Sequence, residues 1–258
     1  MAQFDTIRTV GVGASAQIDA GLRAHMNKVY GLMSVAMLLT GAAAWAVAGL
    51  AVTTDPSSGM QIGAGEYLTS FGYALYASPL KWVVMFLPLV MVFAFGAVIN
   101  RLSASAAQLF FYVYAAAMGL SLSSIFLVFT GTSIAQTFLV TAIAFAGLSL
   151  YGYTTKRDLS AFGSFLMMGL IGIVVASIVN IFLASSALAF AISIIGVLLF
   201  AGLTAYDTQN IKNTYIQHAA MGDREWLGKS AVMGALQLYL DFINLFMFLL
   251  QFMGNNRE

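Results

Sequence analysis

The stretch "LQLYLDFINLFMFLLQF", Leu236–Phe252, decides the fold. Nearly every residue in it suits lipid, yet Asp241 stands at its middle. The whole chain shares this character: its 258 residues are 60% hydrophobic and 8% charged. A soluble domain carries about 25% charged residues, so this chain lacks the polar surface to face water on all sides. It reads as an all-α integral membrane protein. The net charge of +1 gives no reason to expect nucleic acid as a partner. The absence of cysteine excludes disulfides, thiol catalysis and cysteine metal sites.

A helix needs about 20 apolar residues to cross a bilayer. Seven stretches qualify: Met26–Val52, Leu80–Asn100, Ala107–Phe129, Ser133–Tyr153, Phe162–Ala184, Ala187–Tyr206 and Ala231–Met253. "TGT" at Thr130–Thr132 and "SS" at Ser185–Ser186 are so short that the spans they join must be antiparallel neighbours. With seven spans, Arg8, Arg23, Lys28, Arg101, Lys156, Arg157, Lys212, Arg224 and Lys229 share one side, against Lys81 and Arg257 on the other. That bias puts the N-terminus in the cytoplasm and the C-terminus outside.

Residues 1–24 read as a cytoplasmic tail without the pattern of a cleavable signal peptide. The tail contains "GVGASA" at Gly11–Ala16, a formal dinucleotide fingerprint. No βαβ unit surrounds it, so it reads as a flexible Gly/Ser segment. Residues 25–258 form one seven-helix domain. The loops Thr53–Pro79 and Asp207–Ser230 are each long enough for a short interfacial helix. Gly169, Gly172 and Ala176 give the fifth span a small-residue face for close packing.

Ionisable groups at membrane depth cost about 3 kcal/mol on insertion scales. In the last span Gln237, Asp241, Asn244 and Gln251 follow helical spacing and form one polar seam. That seam must turn into the bundle. Packing bonds between helices account for the three amides. For Asp241 a neutral amide would do that work at lower cost, so the carboxylate points to function. The second acid, Asp207, lies in "GLTAYDTQNIK", Gly202–Lys212, where the sixth span ends. Its plain reading is a solvated helix end, but a negative charge there opposes the macrodipole. Arg101 closes the second span, and alone it reads as an anchor that snorkels to headgroups.

These segments resemble the Bax inhibitor-1 family (the transmembrane Bax inhibitor motif proteins) in a bacterial version. The resemblance rests on "INRLSASAAQLFFYVYAAAMGLSLSSIF", Ile99–Phe126, on Gly202–Lys212, and on "LQLYLDFINLFMFLLQFMGN", Leu236–Asn255. It covers about Leu22 to the C-terminus. It implies seven helices with the last surrounded by the other six, a bacterial inner membrane location, and pH-sensitive calcium leak. Eukaryotic members are also linked to suppression of cell death. The resemblance further implies a pair of aspartates in contact near the cytoplasmic side, matched here by Asp207 and Asp241. An arginine ending helix two pairs with that dyad in some members, and Arg101 occupies the matching position. The charged C-terminal tail of eukaryotic members has no counterpart, since "GNNRE" follows the last span.

Two close carboxylates cannot both ionise cheaply, so the pair would share a proton. The shared proton would bond helix six to helix seven, and its loss would leave repulsion and a cation site. Calcium prefers six to eight oxygens. Two carboxylates with Asn244 or Thr208 supply fewer, so calcium binding should be weak, and no other cofactor is expected. At 1.5 Å per residue Asp241 lies about 15 Å deeper than the cytoplasmic end of its span. A dyad therefore needs a displaced seventh helix, a sixth helix extended past Tyr206, or a water-filled cavity.

Two other functions fit the same residues. A proton-coupled transporter could use the carboxylates as a relay, although no inverted repeat is visible. A non-transporting protein could modulate a membrane protease or a stress response through its cytoplasmic surfaces. Catalysis is not expected. Neither aspartate carries the Gly-x-Gly-Asp motif of intramembrane aspartyl proteases. His25 and His218 are isolated at membrane edges, which does not suit zinc. Lys229 precedes the last helix, where a retinal protein needs a lysine inside it.

Overall fold

The computed structural model describes residues 2–58, 60–63, 65–218 and 223–255, with side chains from residue 18 onward apart from Ser58. Helix α1 runs Ala2–Ala51. A small antiparallel sheet follows, with strands β1 (Val52–Thr53), β2 (Met60–Gly63) and β3 (Glu66–Leu68) in the order β1-β3-β2. Then come the single turn α2 (Ser70–Gly72) and α3 (Leu80–Val98). Next are α4 (Ala104–Leu122), the short α5 (Ile125–Val128), α6 (Gly131–Thr154) and α7 (Ser160–Leu183). The hairpin of α8 (Ser186–His218) and α9 (Arg224–Met253) completes the chain. Seven helical stretches are long and apolar enough to cross a membrane, matching the seven expected from sequence.

Local chemistry starts these helices. Ser103 caps α4 by accepting from the Ala106 amide, and Thr130 caps α6 by accepting from the Ser133 amide. Asp223 caps α9, accepting from the Glu225 and Trp226 amides at 2.9 and 3.0 Å. Each satisfies backbone donors that a helix start leaves open.

The structure corrects four expectations. Helix α1 passes straight through Gly11–Ala16, which was read as a flexible segment. Glycine weakens a helix by about 1 kcal/mol without forbidding it. The loop Thr53–Pro79 holds the three-stranded sheet as well as short helical turns over Ser70–Ala77. Gly65, at φ +78°, makes the β2–β3 turn. Asp207–Ser230 is no loop: α8 carries Asp207 and runs on to His218, and α9 begins at Arg224. Polar side chains there leave the backbone free to complete its helical bonds outside lipid. Finally, Gly172 packs on nothing, whereas a Cβ on Gly169 would come within 2.8 Å of Leu199.

Helix α9 carries the most burial. Within its most apolar window 61% of residues are buried, against 11–39% in the other six spans. It packs on α1, α4, α6 and α8. Its apolar faces, with Leu238, Phe242, Leu245 and Leu250, are buried, whereas of the expected polar seam only Asp241 is buried, Gln237 and Asn244 being half-buried and Gln251 exposed. Tyr239 is fully buried, and its hydroxyl lies 2.7 Å from Thr40 Oγ1 on α1. Thr40 Oγ1 in turn lies 2.8 Å from the Ala115 carbonyl of α4 and 3.0 Å from that of Ala36. Because a hydroxyl has one proton, Tyr239 donates to Thr40 and Thr40 donates onward. This node ties three helices together.

Candidate functional site

The two aspartates sit on the facing sides of the α8–α9 hairpin. Its register is set by Gly196 and Phe200 against Phe248, by Ser193 against Gln251, and by Ile211 against Gly234. Trp226 stacks on His218 at 4.2 Å and closes the hairpin end. Counting from that pair at 1.5 Å per residue, Asp207 lies about 16 Å along α8 and Asp241 about 22 Å along α9. The difference is about one helical turn. The extension of α8 past Tyr206 therefore resolves the depth mismatch, through the second of the three routes that the sequence left open.

Both aspartates are 4% exposed. Their carboxyl groups lie close enough to interact, and Gln237, one turn before Asp241, reaches Asp207. A carboxylate is an acceptor only, so two carboxyl groups can bond each other only when one carries a proton. Asp241 Oδ2 is buried with no hydrogen-bond partner among the described residues. An ion left in that state would be costly. A proton shared with Asp207 would relieve it.

The other sequence candidates fall differently. Gln237 joins the dyad. Asn244 is half-buried and turns to its own helix, its Nδ2 donating to the Leu240 carbonyl at 2.8 Å. Gln251 accepts from Ser193 Oγ at 3.4 Å, a long bond between α9 and α8. Thr208 is engaged by Ser149 Oγ at 2.9 Å and by the Thr204 carbonyl at 2.7 Å. Among the described residues no group of three His, Cys, Asp or Glu could hold a metal. Arg101 ends the turn Ile99–Arg101 and is exposed; among the described residues, no hydrogen bond or ion pair links it to either aspartate. His25 is buried, with its ring 4.9 Å from that of Tyr215.

Sequence reading missed the residues that seat α8. Gln209 staples the α6–α7 connection: its Oε1 accepts from the Leu159 amide and its Nε2 donates to the Arg157 carbonyl, both at 2.8 Å. Lys212 Nζ donates to the Tyr153 carbonyl at 2.7 Å. Gly152 lets α6 approach α8, since a Cβ there would collide with the Ala205 carbonyl. All three flank Asp207 in space or sequence, so the acid is held in a rigid frame. The Gln209 amide beside Asp207 was the only visible hint.

Comparison with known proteins agrees with this architecture. The family model described as "Inhibitor of apoptosis-promoting Bax1" matches residues 22–258. The chain is 46% identical over 242 residues to inner membrane protein YbhL of Escherichia coli strain K12, covering 93% of this chain and 95% of YbhL. It is 45% identical over 245 residues to a protein of Caulobacter vibrioides, covering 95% and 94% respectively. A Lactococcus lactis protein, YrjE, is 35% identical over 239 residues, covering 92% and 93%.

Proposed function

The chain belongs to the Bax inhibitor-1 family, and on that premise we propose that it is a pH-sensitive calcium leak protein of the bacterial inner membrane. In this reading α9 is the centre of the bundle, the N-terminus is cytoplasmic, and Asp207 with Asp241 forms the gate. The observation that carries it is the buried carboxyl pair between α8 and α9, with no hydrogen-bond partner for Asp241 Oδ2 among the described residues.

The gate's strength depends on its proton count. With one proton shared, the bond is charge-assisted and about twice as strong as a neutral one. A second proton leaves the weaker neutral bond, and loss of the first leaves two like charges. Leak should therefore be lowest where one proton is shared and should rise on either side. Calcium would meet two carboxylates and water, fewer protein oxygens than a storage site supplies. Weak binding suits passage. Arg101, exposed at its helix end, fits a headgroup anchor better than a partner of the dyad.

Calcium flux into proteoliposomes across a pH series tests the proposal. The wild type should show the pH-dependent leak, and Asp207→Asn or Asp241→Asn should flatten it. Flux that needs an opposing proton gradient would favour a coupled transporter. No flux at any pH would favour an interaction protein.

A further inference from the structure

We propose that a groove between α1 and α6 binds one anionic phospholipid, taken from the leaflet on the side where α1 enters the membrane. Helix α1 packs on α4, α8 and α9, and α6 packs on α8 and α9, while the two backbones stay apart and meet through the Tyr30–Ser149 hydrogen bond at 2.7 Å in the groove's lining. Between them lies a cavity of about 860 Å³, within the range of about 300–1,000 Å³ usual for small-molecule sites. It opens on the bundle's outer surface, where Leu150 and Ala146 of its lining are exposed.

The lining changes character along its length. Arg23 and Asn27 stand at one end, Tyr30 and Ser149 in the middle, and Met33 and Met37 at the other. From Arg23 to Met37 is 14 residues of helix, or about 21 Å. That is half of the roughly 40–45 Å bilayer with its headgroup regions, the depth of one leaflet. The groove thus has a cationic polar mouth and an apolar depth of lipid length.

Charge selects among lipids. Arg23 is the cation that lines the groove, with Tyr153 also in its lining. Among the described residues no acidic side chain lines the groove, and Asp19, one turn before Arg23, lies outside the lining. A peptide would bring backbone groups that Met33, Met37 and Phe242 cannot satisfy, and a small polar solute would leave the apolar end empty. A phosphodiester headgroup meets Arg23 while its acyl chain fills the depth. This inference does not depend on the gating role of the aspartates.

Native mass spectrometry of the full-length detergent-solubilised protein tests it, with phosphatidylglycerol, phosphatidylcholine and palmitate as probes. One phosphatidylglycerol should be retained in preference to chain-matched phosphatidylcholine. Arg23→Gln should weaken that binding about fivefold, as expected for one surface cation. Ala146→Trp, which fills the groove, should abolish it, and Lys81→Gln on the opposite side should leave it unchanged. Equal binding of phosphatidylcholine, displacement of the lipid by equimolar palmitate, or full binding in Ala146→Trp would overturn the proposal. Arg23 is exposed, so its variant keeps the fold and carries the test alone if the tryptophan variant does not fold.

Discussion

In the proposed function Asp241 and Asp207 act as one chemical unit, which substitutions should reveal. Asn at either position keeps a hydrogen-bonding group and is cheaper to bury than a charge. Both single Asn variants should therefore fold, lose the pH response, and differ little from the double variant in a flux assay. Ala at either position strands a buried carboxyl and should cost about 1–3 kcal/mol in thermal or denaturant melts. Other carboxyls do not confuse the readout. Ser160 hydrogen bonds hold Asp158 below the usual carboxylate range, and Ser57 hydrogen bonds do the same for Asp55. Both remain ionised where the dyad would respond. Tyr239 gives a separate check on packing: Tyr239→Phe removes its bond to Thr40 and should cost about 0.5–1.5 kcal/mol without altering the pH response.

At the scale of the elements, close approach and helix ends set the frame. Gly152→Ala should push α6 from α8 and cost about 1–3 kcal/mol, whereas Gly172→Ala, facing open space, should be neutral or slightly stabilising. Melting both variants in one detergent separates the two cases. Ala184 ends α7 in the left-handed region at φ 48°, where a Cβ is strained. Ala184→Gly should raise stability by about 1 kcal/mol. Hydropathy made all seven spans legible in the sequence, because a lipid-facing helix must be apolar whatever its neighbours. It could not reveal where helices continue into water. The polar run after Tyr206 reads as a loop, yet Gln209 and Lys212 bind the end of α6 and the α6–α7 connection, and α8 is held as helix to His218. The sheet of Thr53–Pro79 was hidden for a similar reason: its strands of two to four residues are too short to show alternation.

Across the whole molecule, charge asymmetry and buried acid combine into one device. Nine basic residues share the side of the N-terminus, against two on the other. A C-terminal reporter active only in the cytoplasm should therefore stay silent, and one at the N-terminus should be active; the reverse pattern would invert the bundle. The candidate pair was legible because a carboxylate in lipid needs a reason. Gln237 was legible as part of the seam, whereas spacing could not say that Asn244 turns back to the Leu240 carbonyl of its own helix. The shared proton remains the centre of this mechanism. Infrared titration of the carboxyl bands, taken as the difference from the Asp207→Asn/Asp241→Asn double variant, reads it most directly. Two well-separated protonation steps are expected in the wild type, collapsing to one in either single variant. A single common step in the wild type, or two steps surviving in Asp241→Asn, would contradict it.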